Sequence, residues 1–376
     1  MPPTYNQSQI NFFLSMLSNL AIGRKGTADD IEVFLAGRID AHLLASVADI
    51  GVWTRVWGPA VFQAPLSQVA DNVIYVAQSA STPPQFVVAI AGTNYNSIFD
   101  ILIEDFFVAT EVAWAYGTPP PATSPKISTG TWTGLTILQF IAPGPGIPGA
   151  NQQLTSFLAA AATQPIEVIT VGHSLGGALA PALALWLLDT QASWDPQGRA
   201  TIACEPSAGP TSGNADFAAY YGSRLGSRTT RIYNSLDIVP RAWHASDLAS
   251  LPALYEPDIE PDIVVYALAG AAAAAAAPAA KTAGGDYTQI NTSTPALPGT
   301  IDTSLINPKS YAFENFLVQA GQQHINEYFT LMGVTISTEA MAAVTQAMGA
   351  PAALKAAPRL RAQLVRRRAI PAEAGS

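Results

Sequence analysis

The amino-acid sequence predicts an α/β fold, with a mostly parallel central sheet flanked by helices. Two observations support this prediction. Short β-branched segments alternate with helical segments along the chain. One strand candidate, residues 166–171, runs directly into the turn Gly172-His-Ser-Leu-Gly176 and then into a helix of small residues. Because functional loops in such sheets gather at the carboxyl ends of the strands, we expect the functional side chains at that edge.

The elements follow in order along the chain. Apolar residues recur with helical spacing near the N-terminus, and aromatic residues follow near Trp53 and Trp57. Residues 1–60 are therefore predicted to form a helical segment packed on the core. Strands are predicted at residues 73–76, 86–91, 166–171, 200–204 and 229–233. The turn-rich residues between the first two strands predict a hairpin.

The main domain is predicted to span residues 61–335. Within it, residues 101–121 are a candidate lid and residues 245–310 are an insertion. Residues 336–376 are expected to form a C-terminal helix and a partly disordered basic tail. The insertion contains the uncharged, Ala-rich residues 263–280, for which we expect a surface helix or loop rather than a membrane span.

Composition narrows the classes of partner. The chain has 376 residues, a net charge of −9 and only 12% charged residues, which argues against nucleic acid and suits contact with lipid interfaces. Cys204 is the only cysteine, so no intrachain disulfide forms. No metal, organic cofactor or obligatory protein partner is predicted. No basic region precedes the apolar residues 10–23, so no signal peptide is predicted and the localisation is left open.

The turn at residues 172–176 has the Gly-x-Ser-x-Gly pattern of a nucleophile elbow, in the strand–turn–helix context that this motif requires. Its two glycines allow the backbone to fold tightly around Ser174. The turn presents the Ser174 hydroxyl and aims the Leu175 N–H at the oxygen of an attacked carbonyl. These residues predict a serine hydrolase of the α/β-hydrolase architecture.

A serine nucleophile needs a carboxylate and a histidine, which follow it in that order in α/β-hydrolases. Asp237 lies just past the last strand candidate, at the edge where the elbow lies, and is the predicted acid. Asp189 and Asp195 follow the helix after the elbow and belong to the opposite end of the sheet. Asp216 is expected to cap a helix.

The base is one of four histidines. His42 precedes the nucleophile and is expected to be structural, and His173 adjoins Ser174 and is expected to support the elbow. His324 lies late in the chain, as the order requires, and is the predicted base. His244, which lies close behind the acid in sequence, is the alternative.

Four blocks of sequence occur in order along the chain. They are Ala89-Ile-Ala-Gly-Thr93, Val171-Gly-His-Ser-Leu-Gly-Gly-Ala178, Ser212-Gly-Asn-Ala-Asp-Phe-Ala218 and Asn234-Ser-Leu-Asp-Ile-Val-Pro240. Together they resemble the class 3 lipases, which include the fungal triacylglycerol lipases, over about residues 60–330. The resemblance implies that Ser174 is the nucleophile, Asp237 the acid and His324 the base.

The resemblance also implies that Thr93 supplies a second oxyanion donor beside the Leu175 N–H, through its backbone N–H and hydroxyl. The chain departs from the family pattern at four places. Ala91 stands where the family has arginine, Glu205 stands where glycine is usual, a short insertion precedes Ser212, and residues 240–320 are longer and more Ala-rich than the family pattern. These departures affect the expected shape of the pocket more than the mechanism.

Residues 101–121 occupy the position of the family's lid. Their apolar side chains and few charges predict a helix that covers the site in water and opens on lipid, and a fixed core helix is the alternative.

The predicted activity is hydrolysis of lipid carboxylic esters through an acyl-serine intermediate. A phospholipase A1 or an acyltransferase would use the same residues. A lipid-binding protein without turnover is the alternative of a different class. The complete set of triad residues argues against it.

Overall fold

The computed structural model describes residues 3–92 and 108–348. Its strands are β1 (Trp53–Phe62), β2 (Asn72–Ser79), β3 (Gln85–Ile90), β4 (Glu111–Ala113), β5 (Lys126–Ser128), β6 (Ile166–His173) and β7 (Ala200–Ser207). Five of them form one sheet in the order β1-β2-β3-β6-β7, and β4 pairs with β5.

The central sheet is mixed. Strands β1, β2 and β3 are antiparallel neighbours, whereas β3, β6 and β7 are parallel. The predicted hairpin is confirmed, with Ile74 opposite Ile90. Helices flank the sheet on both faces, which confirms the predicted α/β-hydrolase class. The parallel part of the sheet contains the strand that leads into Ser174.

Helices cover both faces of the sheet, and a further group packs in a separate hydrophobic cluster. The helices are α1 (Gln7–Leu17), α2 (Ala28–Ala45), α3 (Val47–Ile50), α4 (Thr129–Phe140), α5 (Leu154–Ala161), α6 (Leu175–Asp189), α7 (Gln191–Trp194), α8 (Ala215–Leu225), α9 (Ala245–Ser250), α10 (Ile263–Ala280), α11 (Ala312–Gly321), α12 (Glu327–Met332) and α13 (Thr338–Met348). Helices α9 to α11 pack in the separate cluster. Alternate residues of β2 point to opposite faces. Tyr75 packs with α1 and α2, and Ile74 packs with α4 to α6.

Two element predictions were wrong. The N-terminal helices end at Ile50, because Gly51 leaves the helical conformation at φ 77°. Residues 53–62 form β1, where Pro59 could not continue a helix. Residues 229–233 form only isolated parallel bridges to β7, at Thr229 and Ile232. The opposing Pro206 has no N–H to donate, so the ladder stays incomplete there.

The insertion contains α10, which forms a continuous helix. One side packs into a third hydrophobic cluster through Val265, Leu268 and Ala272, while Ile263 and Tyr266 are exposed. Among the described residues α10 is the one helix long and apolar enough to cross a membrane, and about a third of it is buried within the protein.

The candidate lid is described only from residue 108 onward. Residues 111–113 form β4, and Trp114 is buried with its indole N–H bonded to Asp189 at 2.9 Å. A helix is therefore the wrong prediction for this part, because Trp114 is fixed in the core beside a strand pair. Residues 101–107 of the candidate lid and the basic tail beyond residue 348 lie outside the described residues.

Candidate active site

The elbow at Ser174 combines a strained residue with two obligatory glycines. Ser174 has φ 61° and ψ −123° at the junction of β6 and α6. A non-glycine residue is held at positive φ only when the surrounding structure enforces it. A Cβ on Gly172 would collide with the Gly176 carbonyl, and a Cβ on Gly176 would collide with the Ile90 carbonyl. Glycine is therefore required on both sides of Ser174.

Three predicted residues meet in one hydrogen-bonded line. His324 Nε2 lies 2.9 Å from Ser174 Oγ, and His324 Nδ1 lies 2.9 Å from Asp237 Oδ2. All three side chains are 0% exposed. An ionised carboxylate only accepts, so Nδ1–H donates to Asp237 and Nε2 is left to accept the serine proton. This tautomer is the one a general base needs.

Asp237 is held at both carboxylate oxygens. Oδ1 accepts the Val239 N–H at 3.0 Å, and Oδ2 also accepts the Tyr328 hydroxyl at 2.9 Å. Burial and the charge of Asp237 raise the pKa of Tyr328 well above its usual value, so the phenol stays protonated and donates. Tyr328 in turn accepts the Asn234 N–H at 3.0 Å.

His324 lies in a single π-helical turn, Gln322–Asn326, between α11 and α12. Such turns insert one extra residue into a helix and are frequent at functional sites. The turn lets His324 and Tyr328 reach the same oxygen of Asp237.

His173 supports the elbow from the buried side. Burial, then the neighbouring His324, lowers the pKa of His173 well below its usual value, so the ring is neutral. Its Nε2–H donates to the His324 backbone carbonyl at 2.8 Å, and Nδ1 lies 3.1 Å from Ser207 Oγ. The residue beside the predicted nucleophile therefore holds the main chain of the predicted base.

One predicted oxyanion donor is described and one is not. Leu175 is the first residue of α6, where backbone N–H groups have no acceptor within the helix and the helix dipole favours negative charge. Thr93 lies outside the described residues. The strand end that precedes it is held by Asn19, which accepts the Gly92 N–H at 2.8 Å. Asn19 was not predicted from the sequence.

The other titratable candidates have structural partners. His244 is partly exposed and pairs with Asp247 at 3.3 Å, and His42 bonds to the Arg38 carbonyl at 2.8 Å.

The rejected aspartates also have structural partners. Asp189 accepts a hydrogen bond from Tyr220 and pairs with Arg224. Asn214, not Asp216, caps α8, because its side chain accepts the Phe217 N–H. Within residues 3–92 and 108–348, no group of three His, Cys, Asp or Glu residues is placed to hold a metal ion.

Tyr328 is the functional contact that the sequence reasoning missed. Its signal was the four-residue spacing from His324, which places both side chains on one helix face. We expect Tyr328→Phe to lower kcat about tenfold, because Asp237 loses one hydrogen bond worth about 1–3 kcal/mol. Steady-state kinetics on a soluble ester measure this. Tyr221→Phe, which removes another buried phenol bonded to Thr229, is the matched control. Equal kcat in both variants would contradict the role of Tyr328.

Glu205 anchors α1 to the sheet beside this site. Its Oε2 accepts from Ser8 Oγ and Asn11 Nδ2, each at 3.2 Å, while Oε1 is buried without a partner in the described part of the chain. Burial raises the pKa of Glu205 to about 7. The residue that departs from the family pattern thus holds the N-terminal helix.

This raised pKa makes stability depend on pH. The folded chain keeps the proton on Glu205 up to about pH 7, whereas the unfolded chain releases it near pH 4.5. Protonated Glu205 therefore favours the folded state, and this stabilisation is lost as pH rises from 4.5 to 7. The ionised carboxylate then destabilises the fold by about 3 kcal/mol. We expect Glu205→Gln to raise Tm at about pH 8 but not at about pH 5. Thermal unfolding at both pH values measures it, and an equal change at both would contradict the account.

The fold and the geometry around Ser174 define an α/β-hydrolase: a nucleophile elbow after a parallel strand, followed in sequence by an acid and a histidine. Comparison with known proteins gives the family. The family model described as Lipase (class 3) matches residues 87–246. Comparison with curated proteins gives no match.

Among solved structures, the crystal structure of M37 lipase is 34% identical, with a TM-score of 0.81, and the match covers 91% of this chain and 98% of that chain. Lipase II from Rhizopus niveus is 21% identical with a TM-score of 0.41, and the match covers 62% of this chain and 74% of that lipase. A lipase from Rhizopus microsporus var. chinensis is 20% identical with a TM-score of 0.39, and the match covers 64% of this chain and 70% of that lipase.

The chain belongs to the class 3 lipase family. It is accordingly a hydrolase of lipid esters.

Proposed function

We propose that the protein hydrolyses carboxylic esters of lipids by a serine mechanism, with Ser174 as nucleophile, His324 as base and Asp237 as acid. The observation that supports this most strongly is the line of two 2.9 Å hydrogen bonds from Ser174 through His324 to Asp237. Phospholipase A1 and acyltransferase activities use the same chemistry and differ in the leaving or accepting group.

The first half of the reaction acylates the enzyme. His324 Nε2 takes the Ser174 proton as Oγ attacks the acyl carbonyl carbon. The oxyanion that forms is stabilised by the Leu175 N–H at the start of α6, with Thr93 as the predicted second donor. Asp237 stabilises the imidazolium. The intermediate collapses as the ester C–O bond breaks, and His324 returns the proton to the departing alcohol.

The second half releases the acid. Water enters where the alcohol left, and His324 takes its proton as the oxygen attacks the acyl carbon. The second oxyanion collapses, the bond to Ser174 Oγ breaks, and the proton returns to the serine. The products are one alcohol and one carboxylic acid for each water consumed, and neither half needs a metal.

A substrate panel tests the proposal. Nitrophenyl esters from short to long chain, a triacylglycerol emulsion and phosphatidylcholine vesicles are each incubated with wild type and with Ser174→Ala. We expect wild type to release carboxylic acid from esters and Ser174→Ala to release none above background. Release from the triacylglycerol identifies a lipase, and release only from the phospholipid identifies a phospholipase. Absence of turnover on every ester would overturn the proposal in favour of a lipid-binding protein.

A further inference from the structure

A cavity of about 350 Å³ adjoins the loop that carries Asp237. Its walls come from residues 231–241, from Asp247 of α9 and from the loop at residues 289–296. Asp237 lines the cavity, but Ser174 and His324 do not, so the cavity lies beside the acid and not at the place where acyl transfer is proposed. The ester-hydrolysis proposal assigns it no role.

The cavity contains a buried cation, the guanidinium of Arg231. Arg231 is only 8% exposed, and its guanidinium carbon lies 4.0 Å from the centre of the Tyr233 ring. No carboxylate in the described part of the chain lies within ion-pair distance of it. Burial lowers the pKa of Arg231, although an arginine side chain stays charged near neutral pH. Burying a charge in this way is unfavourable unless an opposite charge compensates it.

A second guanidinium lines the same cavity. Arg241 is positioned by hydrogen bonds to the Ser235 carbonyl at 2.8 Å and to Ser250 Oγ at 3.1 Å. These two bonds use two of its five N–H donors. No described carboxylate lies within ion-pair distance of Arg241 either.

The two acids in the cavity wall have other partners. Asp237 accepts from His324, Tyr328 and Val239. Asp247 Oδ2 lies 3.3 Å from His244 Nδ1, and its charge also acts on Arg231 from beyond ion-pair distance. The remaining polar wall residues, Gln289 and Thr292 among them, are neutral. The cavity therefore combines two arginines with two acids, and in the described part of the chain no carboxylate contacts either guanidinium directly.

We propose that this cavity binds a small oxyanion of the phosphate class, with Arg231 as the principal ion-pair partner and Arg241 as the second. A guanidinium matches two oxygens of such an anion with two parallel N–H bonds. The anion would supply the direct ion pair that no described carboxylate gives Arg231. Free inorganic phosphate and the phosphate of a lipid headgroup share this chemistry.

Isothermal titration of the full chain with inorganic phosphate tests the site, at constant ionic strength maintained with sodium chloride. We expect saturable binding to wild type. We expect Arg231→Gln to weaken binding about tenfold or more and Arg241→Gln to weaken it severalfold, because each removes one charge-assisted contact. Arg228→Gln removes an arginine that does not line the cavity and should bind as wild type.

Circular dichroism and Tm establish that each variant is folded. If Arg231→Gln does not fold, the affinity of Arg241→Gln for phosphate tests the site instead. Arg241 is partly exposed, so its replacement should leave the chain folded. A second arm measures sedimentation of Ser174→Ala, which removes the predicted nucleophile, with phosphatidic acid vesicles and with phosphatidylcholine vesicles. Binding to phosphatidic acid that Arg231→Gln abolishes would assign the site to a headgroup phosphate.

Three outcomes would overturn the proposal. The first is that wild type binds neither phosphate nor phosphatidic acid vesicles. The second is that binding is unchanged in Arg231→Gln and Arg241→Gln. The third is an equal loss in Arg228→Gln, which would indicate a non-specific charge effect. None of these outcomes depends on whether the protein hydrolyses esters.

Discussion

Replacing Ser174 with alanine is expected to lower kcat for ester hydrolysis by about 10⁶, to the level that binding and oxyanion stabilisation alone support. The reason is that Ser174 Oγ is the atom placed 2.9 Å from His324 Nε2, and alanine offers no oxygen to attack the acyl carbon. Nitrophenolate release under saturating ester measures kcat. The Ser174→Ala chain should keep the wild-type circular dichroism spectrum, because only one oxygen is lost.

Glycine at the same position is a matched variant that separates activity from stability. Ser174 is held at φ 61°, a strained conformation that glycine adopts without cost. We therefore expect Ser174→Gly to be as inactive as Ser174→Ala but to have the higher Tm, because strain of about 1–3 kcal/mol is relieved. Substantial turnover in either variant would contradict the assignment of the nucleophile.

The second large effect is expected for His324→Ala, which should also lower kcat by about 10⁶, because members of a triad act as a unit. Without the imidazole, Ser174 has no acceptor for its proton and the leaving alcohol has no donor. His244→Ala is the matched control. Its ring lies at the surface and pairs with Asp247, so we expect wild-type kcat.

The kcat values of His324→Ala and His244→Ala together distinguish the two candidate bases. If His244→Ala were inactive and His324→Ala active, the base would be His244 and the hydrogen bonds around His324 would be structural. Equal, modest losses in the two variants would contradict a triad at either position. The same kinetic assay serves both variants.

Local signals predicted the part of the fold that carries the elbow. The β-branched residues of β6, the glycines at 172 and 176 and the small residues of α6 lie next to one another in sequence. The motif that marks the strained turn at Ser174 lies within this short segment, so the turn could be predicted without knowledge of the distant contacts that hold it. The chain order of acid and histidine then reduced the search to Asp237 and two histidines.

Contacts between residues far apart in sequence explain what was missed. Helical periodicity in the N-terminal residues was extended into β1, where Trp57 instead bonds to the Gln152 carbonyl at 2.8 Å. Residues 229–233 have strand character, but their ladder depends on Pro206 in the neighbouring strand.

The surroundings of the site depend on distant contacts in the same way. Glu205 appeared only as a departure from the family pattern, because its partners Ser8 and Asn11 lie at the other end of the chain. Tyr328 acquires its role through Asp237, which a sequence alone does not bring close. The sequence therefore predicted the residues of the line and the supporting role of His173, but not the other contacts that hold the line in place.

Covalent labelling of Ser174 tests the central claim most directly. A nitrophenyl alkylphosphonate is attacked at phosphorus by an activated serine, releases nitrophenol and leaves a stable phosphonyl-serine. The account predicts release of one nitrophenol per chain, loss of esterase activity in step with labelling, and a mass adduct on the peptide that contains Ser174. His324→Ala should label far more slowly. An adduct on a different residue, or full activity after complete labelling of Ser174, would contradict it.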